Sequence, residues 1–136
     1  MTDVLRAYFA RYAAAFEAYD GPAVVAHYAV PALFVRDGVP TTLHSSEELL
    51  DSVERLLDLH RAWGVETSRV AGLMEIEAAP AHRVVRVDWR LGRRASRLRW
   101  TYSTTYVLVP GPLGPAGDDA DAGWLVAAAL THDAPF

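Results

Sequence analysis

The sequence predicts an α+β domain in which long antiparallel strands form a curved sheet, helices cover one of its faces, and a pocket lies between the layers. Three observations lead there. Residues 81–109, AHRVVRVDWRLGRRASRLRWTYSTTYVLV, read as two long strands joined by a short basic turn. Val85, Val87, Trp89 and Leu91 alternate with Val84, Arg86, Asp88 and Arg90. Leu98, Trp100, Tyr102, Thr104, Tyr106 and Leu108 likewise alternate with Arg97, Arg99, Thr101, Ser103, Thr105 and Val107. A period of two places one face of each strand in a core, and an aromatic face this large needs helices to cover it. Second, residues 3–19 carry the period of a helix. Third, 136 residues without a cysteine suit one domain over 1–136 that buries a sizeable core and has no disulfide framework, thiolate metal site or cysteine nucleophile.

Composition removes further classes. The net charge of −4 disfavours a nucleic-acid partner. All 13 basic residues are arginine, and six of them, Arg86, Arg90, Arg93, Arg94, Arg97 and Arg99, sit on the central hairpin, where they read as a solvated or subunit-facing surface. No apolar run reaches the roughly 18–20 residues that span a bilayer, and MTDVLRAYF lacks the character of a signal peptide. The expectation is a cytoplasmic protein without membrane contact.

In chain order, Leu5, Tyr8, Phe9, Tyr12, Phe16 and Tyr19 recur at steps of three and four, the stripe of an amphipathic helix capped by Thr2 or Asp3. Asp20-Gly21-Pro22 breaks it and starts a second helix, PAVVAHYA, with Asp20 as N-cap and Pro22 in the first turn; it ends before Pro31. Leu33–Arg36 and Val39–Leu43 flank Asp37-Gly38, a hairpin signal. Ser45 and Glu48 form a capping box for a helix that carries Leu49, Val53, Leu56, Leu57 and His60 on one face and stops at Gly64. Val65–Ala78 reads as a strand with a bulge or bend at Gly72. The central pair follows. Then come a long glycine- and proline-rich loop, PGPLGPAGDDADAG, expected to be mobile, and a closing strand, GWLVAAALT.

This order, with the aromatic first helix, the break at Asp20, "YAVPALFVRDG" and the final "GWLVAAALTHD", resembles the SnoaL-like and ketosteroid-isomerase-like group of the nuclear transport factor 2 superfamily. The resemblance implies a cone: a curved mixed, mostly antiparallel sheet wrapped around three helices from the N-terminal half, with an apolar cavity open at one end. It also implies a homodimer through the outer sheet face. Members include isomerases, cyclases, dehydratases and epoxide hydrolases as well as non-catalytic modules, so the fold does not choose among them.

Two catalytic patterns of the group can be laid on the chain. In the ketosteroid-isomerase-like pattern, Tyr12 matches the helix-1 oxyanion donor, Asp37 lies near the position of the proton shuttle, and Thr104 stands near the place of a protonated aspartate. An apolar cavity raises a carboxyl pKa and strengthens hydrogen bonds to a developing enolate. In the limonene-epoxide-hydrolase-like pattern, Arg86-Val87-Asp88 matches an Arg-x-Asp strand, but the second aspartate is replaced by Val126, and the alternation turns Arg86 and Asp88 away from the cavity.

Candidate catalytic residues are therefore Tyr12 and Asp37, with Trp89, Trp100, Tyr102, Thr104 and His132 as candidate contacts to a small hydrophobic molecule. His132 enters because Trp124, Val126, Ala128 and Leu130 precede it at even spacing on an inward stripe. Neither metal nor cofactor is expected, since the five histidines lack ligand spacing. Two readings stay open, a cofactor-free acid–base enzyme and a non-catalytic binding or dimerisation module. A Tyr12 hydroxyl and an Asp37 carboxylate opening into one cavity favour the enzyme; Asp37 in solvent at a hairpin tip favours the module.

Overall fold

The computed structural model describes residues 2–111, 123–132 and 134. Helix α1 (Thr2–Glu17) buries Leu5, Tyr8, Phe9, Tyr12 and Phe16, the stripe that the spacing predicts. It ends in a Schellman turn in which the Tyr19 N–H donates to the Phe16 carbonyl and the Asp20 N–H to the Ala15 carbonyl. Tyr19 takes the left-handed position (φ 53°) that glycine usually fills, and its hydroxyl donates to the Val65 carbonyl. Asp20 then caps α2 (Gly21–Val25), its carboxylate accepting from the Ala23 N–H at 3.2 Å.

Here the structure departs from the sequence reading: α2 is one short turn, and Tyr28–Val30 belong to a strand. Strand β1 (Tyr28–Arg36) starts early because β6 (Trp124–His132) recruits it. Tyr28 pairs with Val126, and the Val126 N–H donates to the His27 carbonyl at 2.8 Å. Sheet hydrogen bonds outweigh the weak local preference of the segment. The Val30–Pro31 peptide is cis, and the register shifts between Tyr28 and Leu33.

β2 (Val39–Leu43) returns through Asp37-Gly38, both with positive φ. The Ser45 hydroxyl caps α3 (Ser46–Trp63) by accepting from the Glu48 N–H at 3.1 Å, while the Glu48 carboxylate reaches back to the His44 N–H. Gly64 closes α3 at φ 71°. β3 (Thr67–Ala79), β4 (His82–Gly92) and β5 (Arg99–Pro110) follow. The sheet order is β2-β1-β6-β5-β4-β3, antiparallel except for the parallel β1–β6 pair.

Val85, Val87, Trp89 and Leu91 pair with Tyr106, Thr104, Tyr102 and Trp100, so both inward rows face the helices. Bulges at Val70/Gly72, Glu75/Glu77 and Val126/Ala128 bend the sheet toward them. Gly72 lies at one of these bulges, paired with Asp88, whose carboxylate would have to shift to make room for a Cβ there. Leu5, Phe9, Leu49, Leu57, Val85, Val87 and Leu108 are fully buried between the layers, each worth about 1.5–3 kcal/mol. The Gly111 N–H donates to the Gly123 carbonyl; most of the glycine- and proline-rich loop, residues 112–122, lies outside the described residues. Among the described residues no helix is long and apolar enough to cross a membrane.

Candidate functional site

Between the sheet and α3 lies an open cavity of about 360 Å³. Its floor is aromatic: Tyr12 and Phe16 from α1, Tyr28 and Phe34 from β1, Trp89 from β4, and Tyr102 and Tyr106 from β5. α3 supplies one wall through Ser52, Val53, Leu56 and Leu59, positions that share a helical face. Val35, Ser68, Thr104, Ala129, Thr131 and Ala134 add to the lining, and half-buried Arg36 and exposed Val39, Thr41 and Arg55 stand toward the mouth.

Hydrogen bonds order the floor. The hydroxyls of Tyr12 and Tyr28 lie 2.5 Å apart. The Trp89 indole N–H donates to the Tyr106 hydroxyl at 3.0 Å, which also contacts Thr104 and Tyr12. The Thr104 and Thr131 hydroxyls are 3.4 Å apart. Burial, above all, pushes the pKa of Tyr12, Tyr28, Tyr102 and Tyr106 well above the ordinary phenol value. Arg36 opposes this at Tyr102, which puts its charge within reach of the interior. These phenols stay protonated near neutral pH. They donate hydrogen bonds and cannot act there as bases.

The structure brings together Tyr12, Trp89, Tyr102 and Thr104 from the predicted set. It separates three others. Asp37 is exposed at the β1–β2 turn (φ 53°), outside the cavity. Trp100 faces the helices but lies beyond the cavity, edge-on to Trp63 at 5.4 Å and beneath Arg93 at 5.9 Å. His132 is on the outer face, exposed, with Nε2 3.5 Å from the Thr105 hydroxyl.

The His132 expectation fails for a definite reason. Val107 pairs with Ala128 and Leu108 with Val126, which leaves Ala127 as an extra residue. One inserted residue inverts the alternation: inward Trp124 and Val126 are followed by Ala129 and Thr131, so Ala128, Leu130 and His132 turn outward. Arg86 and Asp88 also face outward, 3.2 Å apart, and the Ser103 hydroxyl donates to Asp88 at 2.6 Å. That hydroxyl is the main reason the Asp88 carboxyl sits below its ordinary pKa, with Arg86 adding to it.

Several lining residues were not legible as such. Tyr28 hid inside the segment read as helix, and Arg36 looked like an ordinary strand end. Arg55 and Leu59 lay on a helix whose orientation the sequence leaves open. Tyr106 had a signal, since it shares the inward parity of Tyr102 and Thr104. Among the described residues no three histidine, aspartate or glutamate side chains converge to hold a metal.

Among curated proteins no sequence matches the chain. Solved structures do resemble it. A protein of unknown function with a cystatin-like fold from Nostoc punctiforme superposes with a TM-score of 0.70 at 10% identity, over 96% of this chain and 91% of that one. An NTF2-like protein with a cystatin-like fold from Novosphingobium aromaticivorans gives 0.69 at 13% identity, over 96% and 79%. An NTF2-like protein of unknown function from Pseudomonas putida gives 0.69 at 14%, over 93% and 82%. At such identities the likeness concerns the fold: a six-stranded, mixed, curved sheet around three helices. The family model described as NTF2-like protein (DUF6841) matches residues 3–134, and the chain belongs to that family.

Proposed function

We propose that this chain is a SnoaL-like member of its family that holds a small, largely apolar molecule in the cavity without transforming it. One observation carries the reading: among the described residues lining the cavity, the titratable groups are phenols and arginines, with no carboxylate or imidazole. Proton abstraction from carbon needs a base within hydrogen-bond reach of the substrate. Asp37, the group matched to that role, is in solvent at a hairpin tip. A cavity with apolar walls and a few fixed donors suits binding instead.

A specific observation also supports a dimer. The sheet face opposite the helices exposes Met74, Arg86 and His132 and half-exposes Thr105 and Leu130, and Met74, Arg86, Thr105 and Leu130 stand in one row across four strands. A second copy of the chain would cover this face.

Native mass spectrometry of the freshly purified protein tests both statements. The expected spectrum contains dimer with a retained small molecule, and Asp37→Asn leaves the retained mass unchanged. Loss of that mass on Asp37→Asn, or turnover of an apolar ketone that Asp37→Asn abolishes, would return the chain to the enzyme reading. Sedimentation showing monomer alone at micromolar concentration removes the dimer.

A further inference from the structure

We infer that the molecule held in the cavity is an apolar organic anion, a flat hydrophobic body with one terminal acidic group directed at Arg36 and Arg55; this rests on the binding reading above. The cavity is polarised from end to end. Its deep part consists of Phe16, Trp89 and phenols that burial keeps neutral. Its mouth carries two guanidinium groups on different elements, half-buried Arg36 at the end of β1 and exposed Arg55 on α3.

No acidic side chain lines the cavity among the described residues; Asp51, Glu54 and Asp58 of α3 all lie outside it. Although the net charge of the chain is −4, the charged side chains that line the cavity among the described residues are thus all cationic, and low-dielectric walls focus their field. The charge of Arg36 extends inward, since it acts on the Tyr102 hydroxyl.

Guanidinium groups pair with carboxylates and sulfonates through directed, charge-assisted hydrogen bonds. A cationic ligand would meet like charge at the entrance. The volume of about 360 Å³ lies at the small end of ligand pockets, which suits a molecule of two or three fused or linked rings.

Two fluorescent probes of nearly the same shape separate the possibilities: anilinonaphthalene sulfonate, which carries an anion, and N-phenylnaphthylamine, which does not. The expected result is that they compete for one site and that the sulfonate binds at least about tenfold more tightly at low salt. Arg36→Gln and Arg55→Gln each reduce that preference and together abolish it. Arg97→Gln, on the exposed hairpin turn, leaves it intact. If the neutral probe binds as tightly as the anion, or the preference survives in Arg36→Gln/Arg55→Gln, the anion assignment is wrong and the binding reading stands. If neither probe binds, or the two do not compete, the binding reading itself fails.

Discussion

His60 makes stability depend on pH in a way the structure quantifies. It lies on the buried face of α3, 2% exposed, with its ring 5.4 Å from that of Phe16. Burial lowers its pKa from the ordinary 6.5 to about 4. Because the folded-state value is depressed, the folded chain resists protonation where the unfolded chain accepts it. The stability from neutral His60 is therefore complete above pH 6.5 and is lost as pH falls from there toward 4. One pH unit of difference is worth about 1.4 kcal/mol, so the whole window amounts to roughly 3 kcal/mol.

Urea unfolding at a series of pH values between neutrality and pH 4 measures this fall directly. His27, depressed by burial and by Arg11, adds a fall of the same sign. The comparison is therefore with His60→Leu, whose curve should be flatter by most of that amount whatever its absolute stability. The depressed Asp88 carboxyl contributes only near and below its ordinary 3.8, at the foot of the window. If His60→Leu loses stability on acidification as steeply as the parent, the assignment to His60 is wrong.

Other expectations follow from single contacts. Leu57→Ala, at a site with no exposure, should cost about 2–5 kcal/mol in the same urea assay. Gly64→Ala should cost at least about 1 kcal/mol, since the residue sits at φ 71° and its new Cβ would meet the Arg93 guanidinium at 2.7 Å. Tyr12→Phe strips the Tyr28 hydroxyl of its 2.5 Å partner and should cost about 1–3 kcal/mol. Tyr12→Phe/Tyr28→Phe should cost less than the two single changes added, and strict additivity in that double-mutant cycle would argue against the pair.

Much of the architecture was legible from local chemistry. The aromatic stripe of α1, the Asp20 and Ser45 caps, the Gly64 stop, the Asp37-Gly38 turn and the alternation along β4 and β5 all act within a few residues. Their signals are written in residue type and spacing. Tyr12, Trp89, Tyr102 and Thr104 were placed on inward faces for that reason, and the cavity uses those faces.

Tertiary structure decided the rest. Tyr28–Val30 became strand because β6, nearly a hundred residues away, offered it hydrogen bonds. His132 left the interior because the ladder with β5 skips Ala127, a feature of pairing between strands that three consecutive alanines, Ala127 to Ala129, do not announce. Arg36 and Arg55 came to line one cavity only because the fold sets β1 and α3 on either side of it. Periodicity tells a chain which side of an element is apolar; register and the meeting of distant elements determine which polar groups share the space that remains.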